Sequence, residues 1–402
     1  MASRAIPADA RHLRVVRAGE RTAAADASLA ARRTITLLLA ATGSLTLAGL
    51  VMVLSASSIT AYAQFGDSFL FFERQAAYAV VGVIAMTITS RMRYRAWLRL
   101  SGPLLAITIA CLALVLHPTA GIDAYGASRW VSLGPVTIQP SELAKLALVV
   151  FAAATLSRSV GHLDDLRRLL LPLAPVLLVV CAMVMLQPDL GTTVIIAGTV
   201  FLLVFAAGAP IRYLLVGGVG GAGAAMGLIA SASYRRARFL AFLHPWADAH
   251  NTGWQLAQSL IALGSGGWTG VGLGASRQKW MYVPNAHTDF IFAILGEELG
   301  LIGEVVVLAA FAALLFAGIR VAAHAKDALG RLLATGIVAW FGLQIVVNLG
   351  AVTGLLPITG VPLPFLSYGG SSLVVSLAAV GILVNIARTS GERRVSRARV
   401  AR

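Results

Sequence analysis

The sequence predicts an all-α polytopic membrane protein with about ten transmembrane helices, both termini cytoplasmic, and a large extracytoplasmic loop between the seventh and eighth helices. Three observations predict it. Hydrophobic residues make up 58% of the 402 residues and charged ones only 12%. Ten apolar runs approach or exceed the roughly 20 residues that a spanning helix needs. Basic residues gather in the tails and in alternate short loops, as the positive-inside rule requires when an even number of spans leaves both ends inside. The period-2 alternation of a membrane barrel is absent.

Residues 1–33 are Ala- and Arg-rich without apolar periodicity and read as a disordered basic cytoplasmic tail. The spans fall near 34–56, 74–91, 97–116, 141–157, 168–186, 192–208, 211–231, 288–319, 332–352 and 368–387. They form one membrane domain over 34–388, followed by a second basic cytoplasmic tail at 389–402. Ala61-Tyr62-Ala63 resembles a signal-peptidase site, but the apolar run before it is longer than the ~7–15 residues of a signal peptide's apolar region. The first span therefore reads as a retained signal anchor.

Arg32 and Arg33 place the N-terminus inside. Arg91, Arg93, Arg95 and Arg99 mark the next inner loop, and Arg158, Arg167 and Arg168 the one after it. Arg212 marks a further inner loop, as do Arg320, Lys326 and Arg331. The outer side then holds 57–73, 117–140, 187–191, 232–287 and 353–367. Arginines 235, 236, 238 and 277 and Lys279 lie in the long outer loop, where charge does not govern translocation. That loop carries Trp246, Trp254, Trp268 and Trp280, which suit a membrane interface, and it is too long to be mere connection. The net charge of +15 follows this topology, which argues against nucleic acid as a partner. Cys111 and Cys181 fall inside spans, with neither disulfide nor zinc spacing.

Several short segments carry charge where charge is costly. In HTDFIFAILGEELG, Asp289 stands at the outer mouth of the eighth span and Glu297 about 12 Å deeper at 1.5 Å rise per residue. A charged group at the bilayer centre costs at least a few kcal/mol, so such residues usually face a polar cavity. Asp289 is flanked by His287 and Thr288; it can be hydrated at the interface and its pKa tuned by its neighbours. Glu297 and Glu298 are either polar glue between helices or part of a cavity. In GASRWVSLGPVTIQPSELAKLALV, Glu142 and Lys145 are three apart and can pair on one helix face. That pair is either structural or a source of positive potential for a buried groove. Asp189 in QPDLGTT reads as a helix cap. The block LPITGVPLPFLSYGGSSL contains three prolines, which suggests irregular backbone lining a cavity. Ser367, Gly369, Gly370, Ser371 and Ser372 there are either an anion site at a helix N-terminus or a plain Gly-rich helix start. No nucleotide-binding loop, HExxH or hydrolase triad signature occurs, and no internal repeat supports an inverted-repeat transporter.

GASRWVSLGPVTIQPSELAKL, QPDLGTT, HTDFIFAILGEELG and LPFLSYGGSS, in this order across ten spans, resemble the SEDS family (shape, elongation, division, sporulation) over about residues 35–388. MVLSASS followed by GDSFLFFERQ looks more like the division member than the elongation member. The resemblance implies a peptidoglycan glycosyltransferase that polymerises lipid II at the outer face of the bacterial cytoplasmic membrane, at the division septum, beside a class B penicillin-binding protein. It implies that the family's essential aspartate is Asp289, its arginine after the first outer loop Arg74, and its Glu/Lys pair Glu142 and Lys145. On this reading Asp289 is the general base, supported by His287 and Glu297. Arg74, Arg129, Lys279, Ser367, Ser371 and one or more of Arg235, Arg236 and Arg238, with Arg236 taken first, are candidates to hold substrate and its diphosphate. No cofactor or resident metal is required, and a divalent cation stays open. A lipid II flippase and a non-catalytic scaffold for a transpeptidase are the alternatives.

Overall fold

Each apolar run becomes a helix in the computed structural model, which describes residues 8–117, 121–124, 127–133, 136–159 and 166–400. In chain order the elements are α1 (Ala8–Phe65), α2 (Leu70–Arg91), α3 (Trp97–Val115), β1 (Gly121–Ala124), β2 (Ala127–Leu133), β3 (Val136–Ile138), α4 (Pro140–Ser159), α5 (Leu166–Leu186), α6 (Leu190–Ala207) and α7 (Ile211–Ala230). The large loop follows with α8 (Ser233–Leu243) and α9 (Trp254–Ser265), and then come α10 (Ile291–His324), α11 (Ala328–Val352) and α12 (Gly370–Val400). Among the described residues nine helices are long and apolar enough to cross a membrane, and α5 adds a shorter apolar helix over Leu171–Leu186. The chain is a multi-pass membrane protein.

Packing sorts the helices by burial. α12 lies against α2, α1 and α4, and α11 against α10, α6 and α4. The most apolar window of α12 is 89% buried and that of α4 78%, so these two form the centre; α7, at 6%, is peripheral. Local chemistry sets the starts. Pro140 opens α4, where a missing N–H costs nothing. Asp189 caps α6 as the motif predicts, accepting from the Thr192 N–H at 3.0 Å and its hydroxyl at 2.8 Å. Asp327 caps α11 through the Gly330 N–H at 2.9 Å.

Four expectations are revised. Backbone helix begins at Ala8, within the segment expected to be a disordered tail, and α12 runs on to Val400 through the second tail. Both tails are rich in Ala and Arg, strong helix formers that can extend a helix already nucleated by packing. Residues 1–7 and 401–402 lie outside the described residues. α1 runs to Phe65 rather than ending at 56, because residues 57–65 contain no Gly or Pro to stop it before Gly66. The outer loop 117–140 carries a three-stranded antiparallel sheet, order β1-β2-β3, inside an otherwise helical protein. β1 and β3, four and three residues long, are too short for alternation to be legible.

The fourth revision concerns the large loop, which re-enters the helical bundle. α10 is broken at Gly300 (φ 63°, ψ −168°), and the backbone groups freed there are taken up by residues 267–272. Leu301 N–H donates to the Gly267 carbonyl at 3.0 Å and Ile302 N–H to that of Trp268 at 3.1 Å. In return Val271 N–H reaches the Glu297 carbonyl at 3.0 Å and Gly272 N–H that of Glu298 at 3.1 Å. Non-helical backbone within a span survives only where protein satisfies it. Gly270 (φ +80°) and Gly300 lie so close that a Cβ on either would collide with the other strand's backbone. Gly270→Ala should therefore lose more than the ~1–2 kcal/mol of a left-handed Cβ, read as a lower thermal midpoint in detergent.

Candidate active site

Asp289 lies two residues before α10, so its backbone is outside the span while its side chain faces inward. It is 8% exposed, where the sequence suggested a hydrated interfacial carboxylate. Burial pushes its pKa up to about 6, against the lowering effects of the Thr288 hydroxyl, its own backbone N–H and the positive charge of Arg238. The Thr288 hydroxyl donates to Oδ1 at 3.0 Å. Oδ2 faces Gly360, where a Cβ would stand 4.0 Å from it. A carboxylate so placed holds a proton in weak acid and can accept one near neutrality.

His287, the expected support, packs among aromatic rings. Its ring lies 4.9 Å from Phe71 and 5.5 Å from Tyr368, and its carbonyl accepts from the Tyr368 N–H at 2.9 Å. Burial pushes its pKa down to about 4, so it is neutral at physiological pH and offers no positive charge to an anion. Arg74 is exposed beside the Tyr368 phenol.

Arginines converge next to this centre. An open cleft of about 60 Å³ is lined by Arg129 of β2, Arg235 and Arg238 of α8, the Pro188–Gly191 turn and the wall Pro357–Thr359, which leads into Gly360. Arg129 is oriented by the carbonyls of Gln187 at 3.0 Å and Pro188 at 2.6 Å. Arg235 donates to the Leu228 carbonyl at 2.7 Å, while its Nε is buried without a partner, as is the Thr359 hydroxyl. Arg236, the candidate from sequence, is exposed and does not line this cleft. Sequence could not choose among arginines 235, 236 and 238, because the choice depends on which way α8 faces.

Three other candidates, Lys279, Ser367 and Ser371, have partners inside the protein. Lys279 is buried, with Nζ on the Gly274 carbonyl at 2.6 Å and 3.4 Å from Glu298 Oε1. The Ser367 hydroxyl accepts from the Leu363 N–H at 2.8 Å. The Ser371 hydroxyl accepts from the Gln139 N–H at 3.0 Å and so ties the start of α4 to α12. All three make hydrogen bonds within the protein.

The two acidic side chains of α10 are glue. Glu297 accepts from the Ser276 hydroxyl and from the N–H groups of Arg277 at 2.9 Å and Gln278 at 3.3 Å. Glu298 accepts from Ser55 of α1 at 2.6 Å and faces Lys279. Together they pin the re-entrant loop and α1 to α10. Glu142 and Lys145 pair at 2.8 Å, each side chain 1% exposed, and Lys145 also reaches Gln344 Oε1 of α11 at 2.9 Å. Sequence reasoning missed Gln344 and Asn348, both buried on α11 one turn apart; their i, i+4 spacing in an apolar helix was the available signal. Among the described residues no group of three His, Cys, Asp or Glu is placed to hold a metal ion.

Known proteins match this architecture along most of its length. The chain is 45% identical over 342 residues to Stage V sporulation protein E of Bacillus subtilis, covering 85% of this chain and 93% of that protein. It is 46% identical over 342 residues to a Geobacter metallireducens protein named "Probable peptidoglycan glycosyltransferase FtsW", covering 85% and 91%. Among solved structures, one described as "Structural coordination of polymerization and crosslinking by a peptidoglycan synthase complex" superposes with a TM-score of 0.69 at 31% identity, over 84% of this chain and 96% of that one. The rod shape determining protein RodA of Thermus thermophilus superposes with a TM-score of 0.63 at 29% identity, over 87% and 95%. With residues 35–392 matching the family described as cell cycle protein, FtsW/RodA/SpoVE, the chain belongs to that family.

Proposed function

We propose that this protein is a peptidoglycan glycosyltransferase that polymerises lipid II at the outer face of the bacterial cytoplasmic membrane during septal wall synthesis. The observation that carries the reading is a buried carboxylate at the mouth of α10, Asp289, beside an arginine-lined cleft, in a chain 46% identical to a glycosyltransferase by name. Asp289 takes the proton of the acceptor's GlcNAc 4-hydroxyl. That oxygen bonds to the anomeric carbon of the donor's MurNAc as the bond to diphosphate breaks, with inversion, and the electron pair leaves on undecaprenyl diphosphate. Arg129, Arg235 and Arg238 lie where they can balance the developing negative charge. A divalent cation, if used, would take oxygen ligands from the diphosphate. A class B penicillin-binding protein is the transpeptidase partner, as the likeness to a complex of polymerisation and crosslinking supports.

The purified chain with its transpeptidase should convert labelled lipid II into glycan strands. Movement of lipid II between liposome leaflets without strand growth would support a flippase instead, and partner binding with neither activity a scaffold. Polymerisation should rise with pH through about 6 as Asp289 ionises. Stability moves the other way for this group: its folded pKa is raised, so its contribution is full below the unfolded value near 4 and is lost as pH rises through about 6. His287, with a depressed folded pKa, adds stability as pH rises from about 4 to its ordinary value near 6.5, which offsets that loss. A pH–rate profile beside thermal midpoints at each pH should show activity climbing while stability changes little; a profile flat from pH 5 to 7 would contradict the base assignment.

A further inference from the structure

Two irregular segments meet at Asp289: the approach to α10 and the proline-rich run before α12. Neither has regular hydrogen bonding to hold it, so side chains must supply the missing donors. They come from one face of α11. Trp340, Gln344 and Asn348 recur every four residues, and each uses a nitrogen inward. Trp340 Nε1 donates to Gln344 Oε1 at 2.7 Å, and Gln344 Nε2 to the Pro362 carbonyl at 2.8 Å. Asn348 Nδ2 donates twice, to the carbonyls of Val361 and of Asp289, both at 2.7 Å.

We propose that Asn348 is the positioning residue of Asp289, bridging its backbone to the segment that forms the opposite wall of the site. That wall begins at Gly360, which Asp289 Oδ2 faces, and Val361 is the next residue. One amide nitrogen therefore ties residue 289 itself to the wall, while the Tyr368 N–H bond to the His287 carbonyl joins the same two segments further along. The orientation of the Asn348 amide is fixed: turning it over would place Oδ1 against two carbonyl oxygens. The cost is visible in Asn348 Oδ1, which is buried without a partner. Gln344 carries a similar load on the same helix but does not touch Asp289, which makes it the natural comparison.

The inference rests on the reading of Asp289 as the base, and its test separates the two. With lipid II as substrate and the transpeptidase partner present, Asn348→Leu should lower kcat by about 10–100-fold, the scale on which a small misplacement of a reacting group is felt. KM should hold, because Asn348 is buried and spends its amide protons on carbonyls within the protein. Asn348→Gln, which keeps the amide donors, should recover much of the loss. Gln344→Leu should lower the thermal midpoint comparably while its kcat stays well above that of Asn348→Leu. If Asn348→Leu does not fold, Asn348→Ser, whose hydroxyl has a single proton and cannot bridge both carbonyls, carries the comparison. Unchanged kcat in a folded Asn348 variant, or equal falls in the Asn348 and Gln344 variants, would overturn the positioning role. Failure of the unsubstituted protein to make glycan would instead overturn the functional reading.

Discussion

Asp289→Asn is expected to reduce glycan polymerisation by about 10²–10⁴-fold, the usual worth of a positioned general base. Folded yield and partner binding should be retained. Asparagine is nearly the same size and can still accept from Thr288, whose hydroxyl bonds Oδ1 at 3.0 Å. The contact of Asn348 is to the backbone carbonyl of residue 289 and survives the change. What is lost is the ability to take a proton. Because the carboxyl is buried, the substitution also removes the cost of ionising it, so thermal stability near neutral pH should be equal or higher. Lower activity with unchanged or greater stability is the signature of a functional carboxylate. A parallel loss of both would indicate a structural one.

Lys145→Met should be the most damaging single substitution for the fold. It leaves Glu142 as an uncompensated buried charge, which typically costs about 3–5 kcal/mol. Glu142 Oε2 already lacks a partner, and Gln344 Oε1 would lose one of its two donors. The double variant Glu142→Gln with Lys145→Met removes both charges and should recover most of the stability, as replaced buried ion pairs commonly do. Thermal midpoints in detergent measure both. Activity of the double variant then decides between the two roles the sequence left open. An active double variant makes the pair a structural knot between α4 and α11; a stable but inactive one assigns Lys145's charge to the site.

Much of the architecture was legible because the bilayer imposes a coarse rule. Apolar length and alternating basic loops located ten helices, and Pro140 and Asp189 marked starts through local chemistry. Boundaries were less legible where nothing local marked them. α1 continues to Phe65 because polar residues can extend a helix until Gly66. The re-entrant loop was hidden because its hydrogen bonds join residues 267–272 to a break in α10, a pairing with no local sequence period. The glycines of GSGGWTGVGLG and LGEELG were its trace, since Gly270 and Gly300 permit the two backbones to touch.

The site divided along similar lines. Asp289 stood out by charge at a span's mouth. Roles that depend on facing did not: Lys279 turned inward to Glu298, Ser371 to the start of α4, and Arg235 and Arg238 rather than Arg236 to the cleft. Glu297 read equally as glue or function until the donors at Ser276, Arg277 and Gln278 were placed.

The most direct test is a density map of the protein trapped with lipid II, using Asp289→Asn to stop turnover. The account predicts a sugar hydroxyl within hydrogen-bond reach of residue 289, on the Gly360 side, with a diphosphate among Arg129, Arg235 and Arg238. A lipid whose sugar sits away from residue 289, with that side chain still sealed among its neighbours, would contradict it.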